Sequence, residues 1–297
     1  MNMENKSNIS MKINTTTTYI SKNKSGKKPN ILIHLVLILG AIVMIVPFLW
    51  MILTAFKTVS ETTQLEPFVI FPSEWRFNAF KSVIKQMNFF GLYWNTISLI
   101  FWRVLCALVT ATMAGYAFAR LNFKGKNVAF TLVLIQMMIP SQIFIIPQYQ
   151  IVSKLGLLNT TFALVFPGLV TAFGTFLLRQ AFMGLPKDLE EAARLDGCNI
   201  GQTFIHVMLP LVKSSLVALG IFTALFAFKE LMWPLVVNTE QSTMPLASAL
   251  AKLQGQFSTN YPELMAASVL ACIPMIIIYI IFQKQFIEGI ATSGGKL

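Results

Sequence analysis

Charge is scarce in this chain. Only 12% of its 297 residues are charged, against roughly a quarter in an ordinary soluble domain. Such a sequence cannot cover a globular surface with water-seeking groups, which excludes a soluble domain. Cysteine and histidine are scarcer still. The three cysteines, Cys106, Cys198 and Cys272, are scattered and odd in number, and give neither a disulfide framework nor metal-ligand spacing. The two histidines, His34 and His206, lie far apart and read as structural or interfacial residues rather than ligands. Catalytic signatures are missing as well: there is no HExxH, no G-x-S-x-G and no clustered His/Asp site. Lys27, Lys126 and Lys296 each follow glycine, but no Ser or Thr comes next, so the phosphate-cradling P-loop is absent. A membrane-embedded enzyme is therefore the weakest reading.

What is abundant is apolar sequence: 55% of residues are hydrophobic, and mean hydropathy is +0.66. A helix crossing the hydrocarbon needs about 20 mostly apolar residues. The runs at 31–56, 92–119, 127–146, 161–183, 214–237 and 262–282 predict an all-α membrane protein of six transmembrane helices. The runs are continuous rather than alternating, which disfavours a β-barrel. Residues 1–29 are polar, cannot bury enough apolar surface to order themselves, and read as a disordered cytoplasmic tail. The first run is too long for a signal-peptide core and reads as an uncleaved span, kinked at Pro47. A six-helix domain over 30–284 and a cytoplasmic tail over 285–297 complete the expected organisation. Ala107, Ala111, Ala114 and Gly115 give the second span a small-residue face suited to close helix packing. A short helix is expected near Asn78 to Met87 in the first external segment.

The net charge of +11 invites a nucleic-acid partner, but its distribution argues otherwise. Lys6, Lys12, Lys22, Lys24, Lys27 and Lys28 precede the first apolar run, and Arg120, Lys124 and Lys126 form an acid-free loop. Basic residues in short loops beside spans hold those loops in the cytoplasm. The excess charge thus reports topology, with both termini inside.

One polar island stands out, between Lys187 and Lys213, within an internal loop over 184–213. It gathers four carboxylates, Asp188, Glu190, Glu191 and Asp196. Pro186 suits a helix's first turn, and the acids suit its positive end. Leu189, Ala192 and Ala193 share one stripe, and Glu190 precedes Arg194 by four residues in the favourable order. Gly197 fits a left-handed helix stop. Asn199 and Gln202 then make a capping-box variant that opens a second helix running to Pro210. The expected product is a helical hairpin outside the membrane. From composition alone it either lies on the surface without a partner or transmits a push from one.

The spacing here resembles the EAA signature of ABC importer permeases: Glu191-Ala192-Ala193, then Gly197, Val207 and Leu209-Pro210, with Val207 in place of the usual isoleucine. Ala117-Phe118-Ala119-Arg120, Leu155-Gly156-Leu157, Phe173 to Gln180 and Met232-Trp233-Pro234-Leu235 resemble the carbohydrate-uptake, MalG-like branch. Gln283, Phe286, Gly289 and Gly295-Lys296 resemble its tail. The branch often carries Trp-Asn where Lys229-Glu230 stands, and the last residues also depart from its usual ending. The resemblance implies a type I ABC importer permease fold in a bacterial cell membrane. It implies a heterodimer with a second permease, two cytoplasmic ATPases that bind and hydrolyse ATP, and an extracellular solute-binding protein delivering a sugar. This chain would hold no cofactor of its own. Glu190, Glu191, Ala192, Ala193, Asp196, Gly197, Leu209 and Pro210 would form the surface coupled to an ATPase. A permease for glycerol phosphate or a similar anionic solute is the near alternative. A self-sufficient secondary carrier is the distant one, and would need ion-coupling residues and an inverted repeat that are not evident.

Arg103 lies inside the second run and Lys229-Glu230 inside the fifth, where each charge costs about 2.5–3.5 kcal/mol at the bilayer centre on insertion scales. The expectation is that at least one lines a polar pathway and that Arg103 pairs with Glu230. Snorkelling of Lys229 to the outer interface remains an equal reading.

Overall fold

The computed structural model describes residues 31–254 and 259–294. The polar tail at 1–29 and the Gly295-Lys296 ending lie outside the described residues. Two units are described separately, one up to Leu49 and one from Trp50 onward. The first unit holds the start of α1 (Ile31–Ala55), which continues through Pro47. Every residue of α1 from Ile31 to Trp50 is exposed, as expected of a helix that is apolar all round and meets lipid.

The second unit is built around α4 (Phe89–Arg120). Its 32 residues rise about 48 Å, more than the hydrocarbon core of a bilayer. Buried clusters follow one another along it. At one end Leu92 packs with Val83, Met87, Met244, Leu246 and Ala267. In the middle Leu99 packs with Val152, Leu164, Trp233 and Val237. At the other end Ala111 and Tyr116 pack with Leu178, Phe182, Met208 and Leu219. The expected small-residue face is the buried one at Ala107, Ala111 and Gly115. It receives α8 (Ala172–Met183) so closely that a Cβ on Gly115 would come within 2.9 Å of the Arg179 backbone nitrogen.

Near the N-terminal end of α4, α2 (Val59–Thr63) and α3 (Asn78–Gln86) fill the first connecting segment, the latter where a short helix is expected. The segment after α11 is also ordered: α12 (Leu246–Ala251) is partly buried, and its Leu246 amide donates to Thr96 Oγ1 at 2.9 Å. Asn159, with a positive φ of 58°, accepts from the Thr239 amide at 2.7 Å and so ties two loops together.

Three helices are long and apolar enough to cross a membrane, and three bent pairs raise the number to six if each pair is one span. The bends correct the picture of continuous spans. The first bent pair is α5 (Lys126–Met138) followed, across Pro140 and a short 3-10 turn, by α6 (Ile145–Lys154) at 100°. The second joins α7 (Thr161–Val165) and α8 at 48°. The third joins residues 200–211 to α10 (Lys213–Lys229) at 76°, and beyond α10 Glu230 is extended before α11 (Met232–Val237). Proline explains the first break, because it removes a donor and clashes with the preceding turn. The last helix, α13 (Tyr261–Gly294), runs beyond the expected end of its span and carries the backbone of the expected tail as helix to Gly294.

Candidate functional site

The polar island folds as a hairpin. Its first arm, α9 (Asp188–Leu195), carries Asp188, Glu190 and Glu191 in its first turn and Arg194 in its last, matching the helix dipole at both ends. Gly197 ends it with φ of +84°. The Gly197 amide donates to Arg194 O at 3.0 Å and the Cys198 amide to Ala193 O at 2.9 Å, the Schellman pattern. A Cβ at Gly197 would meet nothing within 4 Å, so glycine is required by conformation and not by space. The capping box follows as expected: the Gln202 amide donates to Asn199 Oδ1, and the Asn199 amide to Gln202 Oε1, both at 2.9 Å.

The second arm differs from a plain helix. Residues Thr203–Met208 form a π-helical turn, and the Leu209 amide reaches back to Phe204 O. Pro210 supplies the reason, since it has no donor for the His206 carbonyl and its ring would clash there in an α-helix. The arm also passes Pro210 and ends at Leu211, where the chain turns by 76° into α10.

The stripe of Leu189, Ala192 and Ala193 is split between solvent and interior, and one pairing is corrected. The buried residues of α9 are Glu190 and Ala193, while Leu189, Glu191, Ala192, Leu195 and Asp196 are exposed. Glu190 does not pair with Arg194. Its Oε1 lies 3.8 Å from Nε of Arg120, the last residue of α4. Arg120 Nη2 in turn donates to the carbonyls of Phe182 and Leu185, at 2.5 and 2.6 Å. Phe182 stands in the last turn of α8 and its carbonyl also accepts from the Leu185 amide at 3.2 Å, while Leu185 lies just beyond the helix end. Arg120 thus joins the C-terminal end of α4, the end of α8 and the hairpin. Tyr116, one turn earlier, packs edge-on to Phe182 and against Phe204 of the second arm. In the sequence Arg120 signals only topology. Leu209 is half-buried and Pro210 exposed, on the arm that packs against α9.

The intramembrane charges meet. Arg103 Nη1 forms an ion pair with Glu230, while its Nη2 and Nε donate to Leu164 O at 2.8 and 3.2 Å. Trp233 Nε1 donates to Ala163 O at 2.8 Å, and Thr110 Oγ1 to Leu169 O at 3.0 Å. All three acceptors flank the break between α7 and α8. Backbone groups freed inside a membrane must be satisfied by protein, and these side chains do so. Gly168 leaves room for the approach: a Cβ there would lie 3.0 Å from Arg103 Cδ and Nε, and the Arg103 side chain would have to give.

Beside this knot lies a cavity of about 500 Å³. The break between α5 and α6, the break after α10, and Pro167 between α7 and α8 converge on it. Gln136, Ser141, Gln142 and Gln148 supply polar groups, and Lys229 and Glu230 line it as well. Lys229 is exposed and, among the described residues, makes no ion pair. The three glutamines were not singled out by sequence, because amides within an apolar run give no signal until the helix breaks bring them together.

A bundle of membrane-crossing and broken helices around a polar cavity, with a structured hairpin at one end, defines a membrane transport subunit. Residues 107–291 match the family described as "Binding-protein-dependent transport system inner membrane component", and the chain belongs to that family. It is similar to the arabinooligosaccharides transport system permease protein AraQ of Halalkalibacterium halodurans, 37% identical over 261 residues, covering 86% of this chain and 92% of that one. It also resembles the lactose transport system permease protein LacG of Rhizobium radiobacter, 28% identical over 89% of this chain and 96% of that one. Among solved structures, a bacterial ABC transporter involved in the import of the acidic polysaccharide alginate contains a chain that matches with a TM-score of 0.72. That match has 24% identity and covers 89% of this chain and 98% of the other. The chain is therefore an ABC importer permease subunit of the inner membrane, and permeases of this family work with a partner permease, an ATPase and a binding protein.

Proposed function

We propose that this chain forms half of the translocation pathway for an oligosaccharide, and that its hairpin receives the stroke of one of two ATPase subunits. The observation that carries the pathway is the convergence of helix breaks on the cavity lined by Gln136, Gln142, Gln148 and Lys229. Amides suit a solute made of hydroxyl groups, because each amide offers both donors and an acceptor. The relatives named for arabinooligosaccharides and lactose support a sugar as cargo. Arg103 neutralises Glu230 and holds the walls, whereas Lys229 is the cation left to the cavity. A sugar bearing an acidic group fits that residual charge, and a relative named for sn-glycerol-3-phosphate transport is in keeping with it.

The exposed face of the hairpin, Leu189, Glu191, Ala192, Leu195 and Asp196, is a mixed apolar and acidic surface suited to a protein cleft. Arg120 and Glu190 fix the opposite, buried side, so a push on the exposed face is passed to α4 and α8 rather than absorbed. The assembly follows: a second homologous permease to close the pathway, two ATPases, and a binding protein outside.

The test is uptake of labelled oligosaccharide into vesicles holding the complete transporter. Gln142→Ala and Gln148→Ala are expected to reduce uptake with the ATPases still bound, and Leu195→Glu to release the ATPase. Uptake by this chain alone, driven by an ion gradient, would overturn the reading in favour of a secondary carrier.

A further inference from the structure

A second cavity of about 500 Å³ opens at the root of the hairpin. Phe118, Asn122, Phe123, Lys126, Arg179 and Met183 line it. It belongs neither to the solute cavity nor to the exposed face of α9. Its charged lining residues, Lys126 and Arg179, are both basic, and Lys124 is exposed in the same turn. No carboxylate pairs with either lining cation among the described residues. Lys126 Nζ spends one donor on Leu121 O at 2.8 Å. Arg179 Nε donates to Phe118 O at 3.3 Å, and its Cζ lies over the Phe130 ring, 4.0 Å from the centroid. This cation–π contact and one hydrogen bond leave other guanidinium donors at the cavity edge.

The floor is aromatic: Phe118 packs against both Phe123 and Phe130. From the cavity, Val128, Leu132 and Ile135 run along α5 at intervals of four and three residues, so they share one face. They are 68%, 61% and 46% exposed. A cationic cup that opens onto an apolar stripe, at the level where membrane helices end, has the shape of a headgroup site with a track for an acyl chain. Basic pockets between spans on the cytoplasmic side hold anionic lipid heads by the same chemistry. We propose that this cavity binds the phosphate of an anionic phospholipid, with one acyl chain along Val128, Leu132 and Ile135. A free phosphate would use the cup but not the stripe, and a zwitterionic lipid would gain less from two unopposed cations.

The inference depends on the proposed function only in taking the hairpin end as the cytoplasmic one, which decides which leaflet supplies the lipid. The lipid would seat against Ala119 and Met183, next to Arg120 and the carbonyl it holds at Phe182. Lipid composition would therefore bear on how the hairpin is held.

The test uses the complete transporter, purified in neutral detergent and loaded with either phosphatidylglycerol or phosphatidylcholine. Native mass spectrometry counts the retained lipid, and ATPase co-purification is scored separately to test the coupling reading. Lys126→Gln is expected to reduce phosphatidylglycerol retention about fivefold, equivalent to the ~1 kcal/mol that one basic residue is worth at a membrane surface. Phosphatidylcholine retention should stay unchanged, and millimolar inorganic phosphate should not displace the lipid. Asn122→Glu places a carboxylate in the cup from an exposed position and should reproduce the loss without removing a structural contact. Wild-type retention in both variants, equal retention of the two lipids, or displacement by phosphate would each overturn the proposal.

Discussion

Arg120 Nη2 reaches Phe182 O and Leu185 O at 2.5 and 2.6 Å while its Nε faces Glu190 at 3.8 Å. One side chain thus serves acceptors of different kinds: backbone carbonyls at and beyond the end of α8, and a carboxylate that needs a counter-charge. Removing Arg120 leaves Glu190 without its counter-charge and Leu185 O without this donor, while Phe182 O keeps the Leu185 amide. Arg120→Ala is expected to cost about 3–5 kcal/mol, the range for breaking a buried pair. Glu190→Gln should cost less, about 1–3 kcal/mol, because the carbonyl bonds survive. Exchanging the two residues should not restore stability, since a carboxylate at position 120 would face two carbonyl oxygens. Melting of the purified complex checks the order.

The Arg103–Glu230 pair is expected to follow the same logic within the membrane. Arg103 also donates to Leu164 O, so Arg103→Lys keeps the charge but loses the forked geometry. The expected order of damage is Glu230→Gln, then Arg103→Lys, then Arg103→Ala, with the last near 3–5 kcal/mol. Fluorescence-detected size exclusion of the assembled transporter, followed by uptake, separates loss of assembly from loss of transport.

Gly197 is predicted to respond to backbone conformation alone. Space is open around it, so Gly197→Ala should cost about 1 kcal/mol from the left-handed backbone, and Gly197→Asn less. Gly197→Val should be worst. Gly197→Asp is expected to leave the chain in the membrane while uncoupling uptake from ATP hydrolysis. The ratio of uptake to phosphate release reads this directly.

Gly115 answers to the opposite constraint. Its backbone is ordinary helix, but a Cβ would press on the Arg179 nitrogen at 2.9 Å and Leu178 C at 3.1 Å. Gly115→Ala should therefore cost about 1–3 kcal/mol by overpacking, despite alanine's better helix propensity. A gain in melting temperature would show that α4 and α8 can separate without penalty.

The segment between α1 and α4 carries a pH-sensitive clasp. Glu61 accepts from the Ser73 hydroxyl, the Thr58 amide and the Ser73 amide, which hold its carboxyl down at about 2. A free glutamate titrates near 4.3. Its contribution is therefore complete above the free value and is lost as pH falls from about 4.3 through about 2. Amide exchange at Thr58 and Ser73, corrected for intrinsic rate, should accelerate over that window. Glu61→Gln should remove the pH dependence.

The spans were legible because a bilayer demands length and apolarity, and those are additive along a sequence. The hairpin was legible because Gly197, Asn199 and Gln202 act locally. The breaks were less so. Pro140 announces one, but Glu230 ends α10 without proline or glycine, held by Arg103 from a helix more than a hundred residues away. The pairing of Arg103 with Glu230 could be anticipated from the cost of leaving each in lipid. That of Glu190 with Arg120 could not, because a competing partner, Arg194, stood four residues away and the buried face of α9 depends on what it packs against.

The π turn at Thr203–Met208 sets the phase of the hairpin. A residue inserted into an α-helix turns everything beyond it by 100°, whereas a π turn absorbs that residue locally. The second arm thus stores one residue of slack between the exposed face of α9 and the bend into α10. Deleting one residue within 203–208 should remove that slack and bring the Pro210 ring against the carbonyl one α-turn before it, at a cost in stability. Deleting one within α9 should rotate Glu191 and Leu195 off their azimuth.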